Sequence, residues 1–167
     1  MDIDIRLARP DELRWIDGWS DYEVTVPATR DLGLAERHLR TWRRSAPARG
    51  TPPGMRRLDI VAAEGSSLLG FTTLLLGGRD ALTGEALGYI ADVQVDPGSR
   101  RQGIGRRLVE GAIALARREG MALVTLDVAE GNRKARRLYA SLGFQPESRR
   151  LGLRLDGRPG GGGTVRL

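Results

Sequence analysis

The spacing of apolar residues changes several times along the chain, and each change marks an element. Ile3 to Ala8 alternates apolar and polar positions, the period of a short strand. Pro10, followed by Asp11 and Glu12, has the form of a helix start with acids near its positive end, which predicts a first helix through about Trp19. From Asp31 to Arg44, Leu32, Ala35, Leu39 and Trp42 fall at helical spacing before the loop SAPARGTPPG breaks the pattern. Two apolar runs follow, RRLDIVAA and SLLGFTTLLLG, joined at Glu64 and Gly65 as a β-hairpin, and a second turn lies in GGRDALTGEA.

In the second half, LGYIADVQV (Leu87 to Val95) alternates and ends at Asp96, Pro97 and Gly98. A glycine-containing turn then opens a helix from about Gly103 to Glu119. Leu108, Ala112 and Leu115 share one face of it, with Arg106, Arg107, Arg117 and Arg118 largely outside that face, so the helix should pack on a sheet. MALVTLDVA reads as a strand, and strand, helix and strand in this order imply a right-handed crossover between parallel strands. A shorter helix from Asn132 to Leu142 and a last strand over about Arg149 to Leu155 complete the pattern. The tail GRPGGGGTVRL is too glycine-rich to hold one conformation cheaply unless something docks it. The expected organisation is one mixed α/β domain over residues 1–156 and a flexible tail over 157–167, with no internal repeat.

A length of 167 residues, 40% hydrophobic and 29% charged, suits a single domain with a core able to organise a cleft. No run approaches the roughly 18 apolar residues of a membrane span, and MDIDIRLARP lacks the order of a signal peptide. A cytoplasmic protein without a membrane partner is expected. The absence of cysteine excludes disulfides, thiolate metal sites and a cysteine nucleophile, and a lone histidine, His38, cannot build an all-histidine site, so no metal is expected. The formal charge of +6 comes almost wholly from arginine, Lys134 being the single lysine. Such a surface suits a phosphorylated cofactor, nucleic acid or anionic lipid, and charge alone does not choose among them.

The most informative stretch is DVQVDPGSRRQGIGRRL, where a strand runs directly into a turn with Gly103 and Gly105 at a helix start. Main-chain N–H groups there have no helical partner, glycine lets a phosphate approach, and Arg100, Arg101 and Arg106 add charge-assisted donors. A diphosphate is the natural guest. No Gly-Lys-Ser/Thr follows, which rules out a Walker loop, and Leu108 stands where a dinucleotide fingerprint has its third glycine.

At these residues the chain resembles the GNAT N-acetyltransferases, whose signature Arg/Gln-x-x-Gly-x-Gly/Ala is matched by Arg100, Gly103 and Gly105. Downstream, NRKARRLYASLGF resembles the family's second signature through Asn132, Ala135, Leu138, Tyr139, Gly143 and Phe144. The resemblance is close over about residues 87 to 145. It implies a central mixed sheet with antiparallel N-terminal strands and a later pair of parallel, splayed strands, flanked by about four helices. It also implies acetyl-CoA or another acyl-CoA as cosubstrate. The main chain of Val93 and Val95 would meet the pantetheine arm, and the turn Arg100, Arg101, Gln102, Gly103, Ile104, Gly105 and Arg106 would hold the diphosphate. Asn132, a plausible N-cap first, and Ala135 would add cofactor contacts.

Tyr139 shares a helical face with Ala135, Leu138 and Leu142, so periodicity alone makes it core, whereas the resemblance puts its hydroxyl beside the cofactor sulfur as a general acid. The implied reaction is direct attack of a neutral primary amine, on a small molecule or peptide, at the thioester carbonyl. The oxyanion would be held by the N–H of Val93 or Val95. Asp92, on the strand face opposite the two valines, is the first candidate general base, and Glu23, in the first interhelical segment, is the alternative. Related proteins often carry glutamate where this chain has Ala91. Trp19, Asp21, Tyr22 and Glu23 would line a pocket for a cationic acceptor or serve as core anchors and solvated acids. The competing reading is a GNAT-like module that senses CoA or binds nucleic acid without catalysis, although a nucleic-acid partner is disfavoured by the paired signatures. Homodimerisation is a family-level expectation.

Overall fold

The computed structural model describes residues 2–45 and 51–167, with the side chains of 42–45 also outside the description. Residues 46–50 of the loop SAPARGTPPG and the side chain of Trp42 therefore lie outside the described residues. In chain order the elements are β1 (Asp4–Leu7), α1 (Leu13–Asp17), β2 (Glu23–Val26), α2 (Leu32–Ser45), β3 (Arg56–Glu64) and β4 (Ser67–Arg79). They continue with β5 (Ala86–Val95), a 3-10 turn (Pro97–Ser99), α3 (Ile104–Arg118), β6 (Leu123–Leu126), α4 (Arg133–Ser141) and β7 (Gly163–Arg166). These elements form two compact units, Met1–Trp19 with Ala48–Asp127, and Ser20–Pro47 with Val128–Leu167.

The first unit is a mixed sheet in the order β1-β3-β4-β5-β6. The β1/β3, β3/β4 and β4/β5 pairs are antiparallel, and β5 and β6 are parallel across α3, the crossover read from the sequence. Alternation along β4 sends Gly70 toward Leu108 of α3 and Phe71 to the other face, where it packs with Ile16 and Val61 beneath Trp15 and Trp19. Ile104, Leu108, Val109 and Ala112 of α3 are buried, so the helix seats its apolar stripe on the sheet as its periodicity requires.

The first helix is shorter than expected and starts at Leu13 rather than Pro10. The carboxylate of Glu12 is used elsewhere. It accepts from Arg6 Nη1 and Nη2 at 2.7 Å each and from the Arg9 main-chain N–H at 2.7 Å, and it makes no capping bond. β6 is likewise confined to the middle of MALVTLDVA.

In the second unit, β2 and β7 form an antiparallel pair from Glu23↔Arg166 to Val26↔Gly163. Asp31 Oδ1 accepts from the Leu34 N–H at 2.8 Å at the start of α2, and Asn132 Oδ1 accepts from the Ala135 N–H at 3.1 Å at the start of α4. One expectation is corrected here. The segment around Glu23 lies between α1 and α2 as read and forms β2, whereas the last strand expected over 149–155 does not form. Leu151, Leu153 and Leu155 alternate there but are 85%, 82% and 87% exposed. Alternation marks a strand only where a neighbouring edge accepts it, and in this unit the edge of β2 is taken by the tail. Among the described residues, no helix is long and apolar enough to cross a membrane.

Candidate functional site

The site is built at the carboxyl end of β5. Thr73 opposes Asp92 while Leu74 opposes Ile90, so Ala91 is the extra residue of a β-bulge. On its other edge β5 pairs with β6 only from Leu87↔Leu123 to Ile90↔Leu126. The two parallel strands therefore stop pairing at the bulge, and Val93 and Val95 lie beyond the last rung. Val93 opposes Thr72 and Val95 opposes Gly70, which puts both on the α3 face and Asp92 and Gln94 on the other.

Asp92 is half-buried and accepts from Gln94 Nε2 at 2.7 Å. A polar row extends from it across the sheet that sequence reasoning did not single out. Thr73, directly opposite Asp92, donates from Oγ1 to Asp59 Oδ1 at 2.6 Å, and Asp59 also accepts from Arg57 Nε at 2.8 Å. Arg57 reaches on to Asp17 at 3.3 Å. The signal was present as polar residues inside apolar runs, because a buried carboxylate or hydroxyl must find partners. Tyr89 and Asp127 were also missed. The phenol donates to Asp127 Oδ2 at 3.1 Å where β6 ends, and burial first, then the neighbouring carboxylate, pushes its pKa above the usual tyrosine value.

Beyond β5 the chain turns under tight local control. Asp96 caps the 3-10 turn by accepting from the Gly98 N–H at 3.0 Å, and Arg100 Nε donates to the Val95 carbonyl at 3.1 Å. Arg101 has φ +66° and Gly103, the N-cap of α3, has φ +77°. A Cβ at Gly103 would meet nothing within 4 Å, so the space beside this main chain is open. At this end of a 15-residue helix the first N–H groups have no intrahelical acceptor. Arg101, Gln102 and Arg106 are exposed around the turn, whereas the Ile104 side chain is buried and anchors the helix start. Arg106 also lies 3.6 Å from Glu110. Open space, oriented amides and exposed guanidinium groups fit a diphosphate.

The remaining residues singled out from sequence sit as follows. Trp19 belongs to the first unit, its ring 5.2 Å from Trp15 and 5.7 Å from Phe71 in edge-to-face contacts, as a core anchor would be. In the second unit, Asn132, Ala135 and Tyr139 lie together on α4 and its cap, and the Tyr139 ring stands edge-on to Phe144 with centroids 5.8 Å apart. The Tyr22 carbonyl accepts from the Leu167 N–H at 2.9 Å. Glu23, on β2, lies 3.7 Å from Arg166 beside an open groove of about 500 Å³ that Glu36 and Arg40 also line. The groove's acids and guanidinium groups pair with each other, Glu36 with Arg40 at 2.8 Å. Among the described residues no group of three His, Asp or Glu side chains could hold a metal ion.

Residues 17–144 match the family model of the acetyltransferase (GNAT) family. Glucosamine 6-phosphate N-acetyltransferase of Trypanosoma brucei brucei is 34% identical over 89 residues, 53% of this chain and 57% of that relative. A mycothiol acetyltransferase of Beutenbergia cavernae is 42% identical over 67 residues, 40% of this chain and 21% of that relative. The matched stretches thus span from about a fifth to just over half of these relatives' length. A solved structure from Bacillus halodurans C-125, described as a transcriptional regulator, superposes with a TM-score of 0.63 at 22% identity, covering 92% of this chain and 100% of that one. At that identity the likeness concerns the fold. With the family model spanning β3 to β6, the turn and both signatures, the chain belongs to the acetyltransferase (GNAT) family.

Proposed function

We propose that this protein is an N-acyltransferase that moves an acetyl or similar acyl group from an acyl-CoA to a primary amine on a small molecule or peptide. The observation that carries this reading is the turn at Gly103, with open space beside it and the start of α3 following it, where the first main-chain amides have no intrahelical acceptor. The acyl-CoA supplies an activated carbonyl. The residues of the turn hold its diphosphate, and the main chain of Val93 and Val95, beyond the last rung shared with β6, receives the pantetheine arm as an added strand would. The N–H of Val93, the nearer of the two to the last rung shared with β6, is the preferred donor to the oxyanion, and that of Val95 is the alternative.

Asp92 is the preferred base for the incoming ammonium, directly or through a held water. Its carboxylate is half-buried, oriented by Gln94, and adjacent in sequence to Val93. Glu23, 3.7 Å from Arg166, is the alternative. Tyr139 is the general acid that returns a proton to the departing thiolate. The acceptor stays at the level of a primary amine, because the relatives act on chemically different molecules by their names.

Replacing Tyr139 with Phe tests the acid. Thiol release in the presence of an accepted amine should fall about 100-fold, in the range of a lost general acid, while acetyl-CoA affinity stays within about threefold. A variant as fast as the wild type at every pH contradicts the assignment.

A further inference from the structure

We infer that Thr72 is a positioning residue, whose hydroxyl aims the Val93 amide at the reacting carbonyl. The inference rests on the acyltransferase reading above and adds to it a residue that takes no part in binding either substrate. Thr72 is fully buried in the apolar run of β4, a place where valine would pack equally well and an unbonded hydroxyl would be costly. Its Oγ1 donates to the main-chain carbonyl of Asp92 at 2.8 Å. That carbonyl belongs to the peptide joining Asp92 to Val93, just past the bulged residue Ala91, so the hydroxyl adds a side-chain bond where the register between β4 and β5 resumes.

The consequence follows from peptide geometry. A trans peptide is planar, with its C=O and N–H pointing in opposite directions, and no cis peptide occurs among the described residues. The peptide joining Asp92 to Val93 has its carbonyl drawn toward β4 by Thr72, so its N–H, that of Val93, points away from β4. That is the edge on which pairing with β6 has already ended at Ile90 and Leu126. The Val93 N–H is therefore presented to the gap between the splayed strands and held there through its own peptide plane. Thr73, the next residue, spends its hydroxyl on Asp59 on the opposite face, so the two threonines serve different partners.

The test uses the full-length chain and its Thr72→Val and Thr72→Ser variants, with acetyl-CoA as the probe. Turnover at saturating acetyl-CoA, acetyl-CoA affinity, thermal melting and the amide resonance of Val93 are measured for each. Thr72→Val should lower kcat roughly 10- to 100-fold, less than outright removal of an oxyanion donor, with affinity within about threefold and a cooperative melt retained. Thr72→Ser should restore most of the rate. The Val93 resonance should move on adding acetyl-CoA in the wild type and the Ser variant and move less in the Val variant. Wild-type kcat in Thr72→Val overturns the inference, as does a Ser variant as slow as Val. A wild type that binds acetyl-CoA without turning over would instead contradict the acyltransferase reading. The resonance then decides alone, and an equal acetyl-CoA shift in all three proteins overturns the inference. No acetyl-CoA shift in the wild type overturns both.

Discussion

Arg100 reaches back onto the strand it follows, its Nε donating to the Val95 carbonyl across 3.1 Å. The first arginine of the signature thus braces the turn as well as bringing charge to it. Lysine keeps the charge but lacks the planar fork that holds a main-chain oxygen with one nitrogen while presenting others. Arg100→Lys should therefore weaken acetyl-CoA binding about tenfold, or about 1.4 kcal/mol, and Arg100→Ala should weaken it further. Calorimetric affinities for both variants check this, and equal, unaltered binding would show that the brace is dispensable.

Acid should loosen the first unit through Glu12. Hydrogen bonds from the Arg6 guanidinium, and after it the Arg9 amide, hold this carboxyl down to about 2 from an ordinary value of 4.5, against the opposing effect of burial. A carboxyl with a depressed folded-state pKa stabilises the protein above its unfolded value, and that stability is lost as pH falls through the folded value. Glu12→Gln should cost about 1.5–3 kcal/mol near neutral pH, the range of a hydrogen bond to a charged group. The gap between variant and wild type should shrink from about pH 4.5 toward pH 2. Urea unfolding at a series of pH values reads it, and a gap independent of pH would contradict the pairing.

Elements whose signals are local were legible in the sequence. The hairpin at Gly65, the turn at Gly103 and the crossover through α3 each depend on residues close together in the chain, and all three are present. The bulge at Ala91 was not legible, because a register shift is a relation between two strands that leaves LGYIADVQV alternating as before. β7 was hidden for a related reason, since the glycines leading into it carried the compositional mark of a linker while serving close packing. A Cβ at Gly160 would lie 2.1 Å from the Ala28 carbonyl oxygen, and one at Gly162 would lie 2.8 Å from Ala28 Cα. In the site, signature residues were found by pattern. Thr72, Thr73 and Asp59 were not, because their significance comes from partners on neighbouring strands.

That close approach is itself testable. Gly160→Ala would push a methyl group into main chain that cannot move aside, so the variant should lose about 1–3 kcal/mol, an overpacking cost. At this size that is a fall of several degrees in Tm, about 2–4 °C for each kcal/mol. Differential scanning calorimetry checks it, and a Tm identical to wild type would mean the tail does not rest on Ala28.

The central claim is that the turn at Gly103 holds the diphosphate of an acyl-CoA, and calorimetric titration with acetyl-CoA of the wild type and Gly103→Trp tests it most directly. Saturable one-site binding to the wild type is predicted. The variant, whose indole would occupy the open space at Gly103, should lose that binding while retaining a cooperative melt. A wild type that does not bind acetyl-CoA, or a variant that binds it equally well, would contradict the account.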